Sequence, residues 1–203
     1  MPSVPKKIHT ITSVILAGGK NSRYQGKNKA FLELEGESFY RRTKRELEKV
    51  FEEVILITNT PEIFHDTDCV KFGDIIPNIG PLGGIHAALA HAQHQEAVFV
   101  AAVDMPFINE TIIRKIMASY FTQQPDILIP RIHKLIEPLL AIYKTDIYVK
   151  MDTFLKKTHT YAIRDFFKEV DVKYIDFDDD TAITKGFVNI NTPKEFEMIQ
   201  NQK

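Results

Sequence analysis

The chain has 203 residues, 44% of them hydrophobic, with 26 basic and 27 acidic side chains. That is enough apolar material for one sizeable α/β core, and the balanced charge leaves no overall field to draw the chain to nucleic acid or an anionic membrane. A single cysteine, Cys69, excludes an internal disulfide framework and a multi-cysteine zinc site, and no run of ~18 apolar residues is present.

Residues 1–10 carry Lys6 and Lys7 but no uninterrupted apolar stretch of a signal peptide. They are expected to form a flexible N-terminal segment ahead of a single domain over residues 11–203, in a cytoplasmic protein. Short apolar runs rich in β-branched residues follow at 11–16, 54–58, 98–103, 126–129 and 138–143. Helical patterning separates the first three, at 39–50 and 84–93, and two further helices are expected at 146–156 and 163–170. Strands alternating with helices predict a mostly parallel central sheet with helices on both faces. The run "GFVNIN" at 186–191 also reads as a strand. In the helix at 39–50, Phe39, Thr43, Leu47 and Val50 share one face, so it packs on the sheet and its basic residues read as a solvated face. The acidic "DFDDD" at 176–180 lacks the glycine and alternating oxygen ligands of a calcium loop and reads as solvated.

The first strand runs into "LAGGKNSRYQGKNK". Gly18 and Gly19 bring bare backbone N–H groups to the carboxyl edge of a sheet, where open α/β folds bind ligands. Neither a P-loop nor a dinucleotide fingerprint is present, because no Gly-Lys pair is followed by Ser or Thr and the glycine spacing is wrong. Lys20, Arg23, Lys27 and Lys29 follow closely and suit a polyphosphate, Arg23 by a two-pronged contact and the lysines as point charges.

Two further segments agree with this loop. "AAVDMPFI" sets Asp104 at the end of the most apolar strand, just before a Met-Pro break; there it can hold a magnesium ion bridging nucleotide phosphates or, alternatively, cap the helix that begins near Asn109. "NIGPLGGIHAAL" leads glycines into a helix N-terminus, with Pro81, Leu82 and Gly83 offering backbone N–H or close approach, and Asp74 lies on the loop before it.

With "LAGG" at 16–19, Arg23 and Lys29, "GPLGG" at 80–84, "DMP" at 104–106, "EPLLAIY" at 137–143 and "NINTP" at 189–193 in this order, the chain resembles the molybdenum cofactor guanylyltransferases. The resemblance covers the chain from residue 11 to about residue 200 and implies a Rossmann-like nucleotidyltransferase fold. It implies transfer of GMP from GTP to Mo-molybdopterin, with release of pyrophosphate. The residues that it assigns to GTP are Leu16, Ala17, Gly18, Gly19, Lys29, Asp74, Pro81, Leu82, Gly83 and Asp104. It gives Mg2+ to Asp104, catalysis to Arg23, Lys29 and Asp104, and the pterin or metal side to Asn189 and Asn191. Transient contact with cofactor insertion or delivery proteins follows from the same resemblance. The loop departs from the family at Tyr24 and Gln25, and at Asn28, where an aspartate often precedes the lysine.

Nucleotidyl transfer needs no protein nucleophile, because the substrate's own terminal phosphate attacks. His86, His91 and His94 accordingly lack the spacing of a metalloprotease motif and read as helix-surface or partly buried residues. The alternatives are a cytidylyltransferase acting on the same pterin, a sugar-phosphate or isoprenoid nucleotidyltransferase, and a nucleotide-binding regulatory protein without catalysis. The glycine pair and "GPLGG" favour guanine.

Overall fold

The computed structural model describes residues 4–18, 23–24, 27–158, 160–177 and 181–200. Eight strands form its main sheet: β1 Ile11–Leu16, β2 Val54–Ile57, β3 Val70–Phe72, β4 Ala97–Ala102, β5 Ile127–Ile132, β6 Leu135–Ile136, β7 Leu140–Lys144 and β8 Val172–Asp176. Their spatial order is β6-β5-β7-β4-β1-β2-β3, with β8 paired to β5. Strands β1 to β4 are mutually parallel, β7 runs against both β4 and β5, and β8 is parallel to β5.

Every residue of β1 and β4 is buried, which is why both read as continuous apolar or small-residue runs rather than alternating ones. One face carries Ile11, Ile15, Phe99 and Ala101 and packs with helices α1 Phe39–Glu48 and α3 Glu110–Gln123. The other carries Val14, Leu16, Val98 and Val100 and packs with α2 Pro81–His91 and α4 Tyr148–Lys157. Three shorter helices follow: α5 Ile163–Phe166, α6 Thr181–Thr184 and α7 Pro193–Gln200. The expected mostly parallel sheet covered on both faces is therefore present.

Three expectations need correction. Residues 186–191 are not a strand: Lys185–Phe187 is a 3-10 turn, and a side chain on Gly186 would run into Ile112. The expected helix at residue 84 starts earlier, at Pro81, whose missing N–H costs nothing in a first turn. The basic residues of α1 are not all solvated. Arg42 donates to the carbonyls of Leu34 at 3.0 Å and Pro106 at 3.3 Å, tying α1 to the turn after Asp104. Ahead of β1, Ile8 is buried and bridges Phe51, and Arg114 donates to the carbonyls of Pro5 and Lys6 at 2.9 Å. Asp176 ends β8 in a two-pronged pair with Arg131, while Asp178–Asp180 of the acidic run lie outside the described residues.

His86 on α2 is only 1% exposed, deeper than a surface reading allows. Its ring stacks on Tyr148 at 5.2 Å, and Nε2 lies 3.3 Å from Asp152 Oδ1 without hydrogen-bond geometry. Burial pushes the imidazole below its ordinary value; Asp152 pulls the other way and Lys156 adds to the depression. The unfolded chain thus takes up the proton first, and stability falls as pH drops through the ordinary histidine value of ~6.5. Urea midpoints at pH 7.5 and 5.5 are expected to fall further for the wild type than for His86→Gln; an equal fall would take His86 out of the acid response.

Candidate active site

The site is assembled by strand ends that the backbone holds level. Leu16 is in register with Ile57 on one side and Ala102 on the other. Beyond the strands the stitching continues: Ala17 N–H donates to the Ile57 carbonyl at 3.0 Å, Val103 N–H to the Leu16 carbonyl at 3.1 Å, and Thr58 N–H to the Phe72 carbonyl at 2.8 Å. Residues following β1, β2, β3 and β4 therefore emerge along one carboxyl edge, as doubly wound sheets require of a ligand site.

On the β1–β3 side, Asn59 and Asp74 clasp each other. Asn59 Nδ2 donates to Asp74 Oδ2 at 2.8 Å, and Asp74 N–H donates back to Asn59 Oδ1 at 2.9 Å. Bare backbone surrounds this clasp. A Cβ on Gly18 would lie 4.0 Å from the Asn59 backbone and amide nitrogens, one on Gly83 would lie 3.5 Å from Asp74 Cγ, and one on Gly84 would lie 3.8 Å from Asp74 Oδ1. The first turn of α2 borders the same place, with its Gly83 N–H donating to the Gly80 carbonyl at 3.0 Å. Gly80 has φ of 68°, a conformation that favours glycine at the helix entry.

The β4 side is charged, with Lys29 buried and Asp104 and Glu137 partly so. Lys29 sits in a 3-10 turn, Lys29–Phe31, whose entry is capped by Asn28: its Oδ1 accepts from Ala30 N–H at 2.9 Å. The Lys29 side chain is 4% exposed; Nζ donates to Asn191 Oδ1 at 3.0 Å and lies 3.9 Å from Asp104 Oδ2. Burial pushes the Asp104 carboxyl above its ordinary value, while Lys29 opposes the shift. Glu137 shares the environment: burial raises it and the charge of Asp104 adds to the rise, against hydrogen bonds from Leu139 N–H and Asn189 Nδ2. Ile190 N–H donates to the Asp104 backbone carbonyl at 2.9 Å, locking "NINTP" against the strand end. The motif is itself a capping box, with Glu195 accepting from Asn191 and Thr192 N–H at 2.7 and 2.9 Å and Thr192 Oγ1 accepting from Glu195 N–H at 3.3 Å. Asn109 caps α3, accepting from Ile112 N–H at 3.1 Å, so Asp104 is not that helix's cap.

The expected residues thus fall into two groups on one edge. Leu16, Gly18, Asp74 and Gly83 gather around the Asn59–Asp74 clasp; Asp104 and Asn191 meet the buried Lys29 ammonium, and Asn189 is tied to this group through Glu137 and the adjoining Ile190 N–H on Asp104. Ala17 is buried and meets the edge through its backbone; Pro81 is exposed at the start of α2; Leu82 is wholly buried, leaving only its backbone to face a ligand. Gly19 lies outside the described residues, and of Arg23 only the backbone is described, paired with Asn28. Sequence reasoning misses Asn59, although a polar residue directly after an apolar strand at the ligand edge is itself a signal. It finds Glu137 only as part of a strand motif.

A divalent cation would find hard oxygen ligands in this second group. Among the described residues no cluster of three or more histidine, cysteine or carboxylate side chains is placed to hold a metal. A magnesium-type ion in nucleotide chemistry takes one or two carboxylates and completes its shell with phosphate and water. Asp104 supplies the carboxylate, and Asn189, whose buried Oδ1 has no hydrogen-bond partner, directly precedes the Ile190 N–H bonded to the Asp104 carbonyl, so the donor set fits.

This architecture is that of the nucleotidyltransferases. It superposes on a molybdopterin-guanine dinucleotide biosynthesis protein A from Archaeoglobus fulgidus with a TM-score of 0.76 at 22% identity, covering 93% of this chain and 96% of that one. A 4-diphosphocytidyl-2C-methyl-D-erythritol synthase from Anaerococcus prevotii superposes with a TM-score of 0.70 at 14% identity, covering 94% of each chain. The chain itself belongs to the MobA-like NTP transferase domain family, whose model matches residues 13–173. It is 36% identical over 197 residues to a probable molybdenum cofactor guanylyltransferase of Clostridium perfringens, covering 95% of this chain and 97% of that protein. It is 33% identical over 194 residues to the molybdenum cofactor guanylyltransferase of Syntrophotalea carbinolica, covering 94% and 91%.

The glycines at α2 make a sharp test of the nucleotide edge. A Cβ on Gly83 would lie 2.9 Å from Ile79 Cγ1 and 3.1 Å from the Ile76 carbonyl oxygen, and the backbone carbonyl has little room to yield. Gly83→Ala is expected to lose about 1–3 kcal/mol of stability through overpacking, read from denaturant midpoints. A neutral result would mean that the loop carrying Asp74 moves freely.

Proposed function

We propose that this chain transfers GMP from GTP to Mo-molybdopterin, forming the guanine dinucleotide cofactor and releasing pyrophosphate. Family membership and identity to guanylyltransferases along nearly the whole chain support the reaction. The observation that carries its assignment to this edge is the buried Lys29 ammonium beside Asp104, on the same strand edge as the glycine-flanked clasp of Asn59 and Asp74.

In this reading the guanine nucleotide lies along the backbone of Leu16, Ala17, Gly18 and Gly19, with Asp74 and the first turn of α2 at Pro81, Leu82 and Gly83 closing its other side. Lys29 Nζ has three N–H donors and Asn191 takes one, which leaves donors for phosphate oxygens. Arg23 adds a second cation from the same loop. Asn189 and Asn191 face the pterin side. Asp104 is the protein ligand for Mg2+, which when bound neutralises charge on the transferring phosphoryl group. The terminal phosphate of molybdopterin attacks the α-phosphorus, the bond to the bridging oxygen breaks, and pyrophosphate departs with that electron pair. The residues position the reactants and oppose their charge, and none forms a covalent bond. Delivery or insertion proteins of the cofactor are transient partners, and the setting is the cytoplasm.

Pyrophosphate release from a panel of GTP, CTP, ATP and UTP, with purified molybdopterin and Mg2+, tests reaction and base together. Release with GTP alone is expected; release with CTP would move the assignment to a cytidylyltransferase, and GTP binding without release would make the chain a regulator. Asp104→Ala should lose at least about a thousandfold in turnover, since a catalytic cation supplies several kcal/mol, while GTP is still bound. Undiminished turnover in that variant would mark Asp104 as structural. Lys29→Ala should weaken GTP binding about 10- to 150-fold, the worth of one charge-assisted hydrogen bond, and an unchanged Kd would remove it from the phosphate site.

A further inference from the structure

Glu137 is a half-buried carboxylate that the proposed reaction does not use. It begins the approach to β7, which runs antiparallel to both β4 and β5, so its N-terminal end meets the carboxyl end of β4. Both of its oxygens are occupied. Oε1 accepts from Leu139 N–H at 3.2 Å, and Oε2 accepts from Asn189 Nδ2 at 3.0 Å. Asn189 directly precedes Ile190, whose N–H is bonded to the Asp104 carbonyl. With Nδ2 committed to Glu137, Oδ1 is the free end of the amide, and it is buried without a hydrogen-bond partner.

An isolated buried acceptor costs free energy unless something comes to meet it. An amide held only by packing would rotate by half a turn whenever its donor end suited the surroundings better. A carboxylate that already takes a backbone N–H on one oxygen can only accept on the other, and so it selects one of the two amide orientations. We propose that Glu137 is a positioning residue that fixes the Asn189 amide with its acceptor oxygen, not its donor nitrogen, turned to the centre beside Asp104. The inference rests on the guanylyl-transfer reading for what happens at that centre, but not for the orientation itself.

Exchanging the donor and acceptor identities of the pair tests this. In Glu137→Gln the backbone N–H of Leu139 still demands an oxygen, so the new Nε2 faces Asn189 and the amide must turn round, presenting a donor to the centre. We expect kcat for pyrophosphate release to fall roughly tenfold or more, with KM for GTP within about twofold, because the lost interaction is made during transfer rather than in nucleotide binding. The swapped pair E137Q/N189D keeps the charge and restores the geometry: one oxygen of the introduced carboxylate accepts from the introduced glutamine amide, and the other faces the centre. It should recover most of the lost kcat, which neither single variant does. Rescue by the swap cannot come from packing alone.

Turnover of E137Q equal to the wild type, or impaired singles without rescue in a folded double variant, overturns the proposal. If E137Q does not fold, the double variant alone decides by the same comparison with the wild type. The side-chain amide NMR signal of Asn189, identified by its absence in Asn189→Asp, gives a readout independent of activity. It should shift in E137Q as Nδ2 leaves the carboxylate, and an unshifted signal counts against the proposal. A wild type that releases no pyrophosphate from GTP overturns the guanylyl-transfer reading, and the amide signal then decides the role of Glu137 by itself.

Discussion

An ammonium group taken almost entirely out of water must be met by oxygen, and Lys29 imposes that demand on this structure. Its partners come from places far apart in the chain: the Asp104 carboxylate at the end of β4 and the Asn191 amide from the segment before α7. An unpaired ammonium in so buried a position would cost several kcal/mol. The turn that presents Lys29, the register of the central strands and the capping box of α7 are therefore conditions on one another. Asn28 has its place in the same scheme. It departs from the family's frequent aspartate but still accepts the N–H that opens the lysine's turn, so the local geometry survives the loss of a charge.

The electrostatics of this group are unbalanced without ligands. Asp104 and Glu137 are both pushed upward by burial, each against favourable partners, and the charge of Asp104 adds to the rise of Glu137. A site with two reluctant carboxylates and one ammonium favours added positive charge at the carboxylates and negative charge at the lysine. A nucleoside triphosphate with its cation supplies both. The clasp of Asn59 and Asp74 differs in kind, because its hydrogen bonds are reciprocal. It shapes the loop, while the β4 side holds the electrostatic tension.

Strand cores are legible in the sequence because β1 and β4 are buried on both faces and contain nothing but apolar and small residues. β8 is not, since an outer strand with exposed Lys173 and Tyr174 carries no apolar run. The run 186–191 misleads in the opposite direction. Phe187, Val188 and Ile190 look like strand material, but Gly186 is pressed against Ile112 and the Ile190 N–H goes to Asp104 instead of a ladder. At the site, residues marked by glycines, by a strand-end carboxylate or by the family pattern are readable. Asn59, Arg42 and Glu137 act through partners 15, 64 and 52 residues away, and no local pattern records such pairings. Thr192 and Glu195 are an exception: their three-residue spacing is a helix-start signature visible in the sequence, and it explains why Asn191 is held so firmly.

The Ile190–Asp104 backbone bond also has a meaning in time. On the ribosome the glycine loop, Lys29 and Asp104 are all made well before the segment at 189–195. At about 5–20 residues per second, that segment follows Asp104 by roughly 4–17 s. Throughout that interval the sheet edge can form, but Lys29 has no Asn191 and Asp104 has no neighbour to cover its carbonyl. A nascent chain therefore holds the parts of a nucleotide site in an incomplete state, and the site becomes whole only when this late segment closes over the strand end.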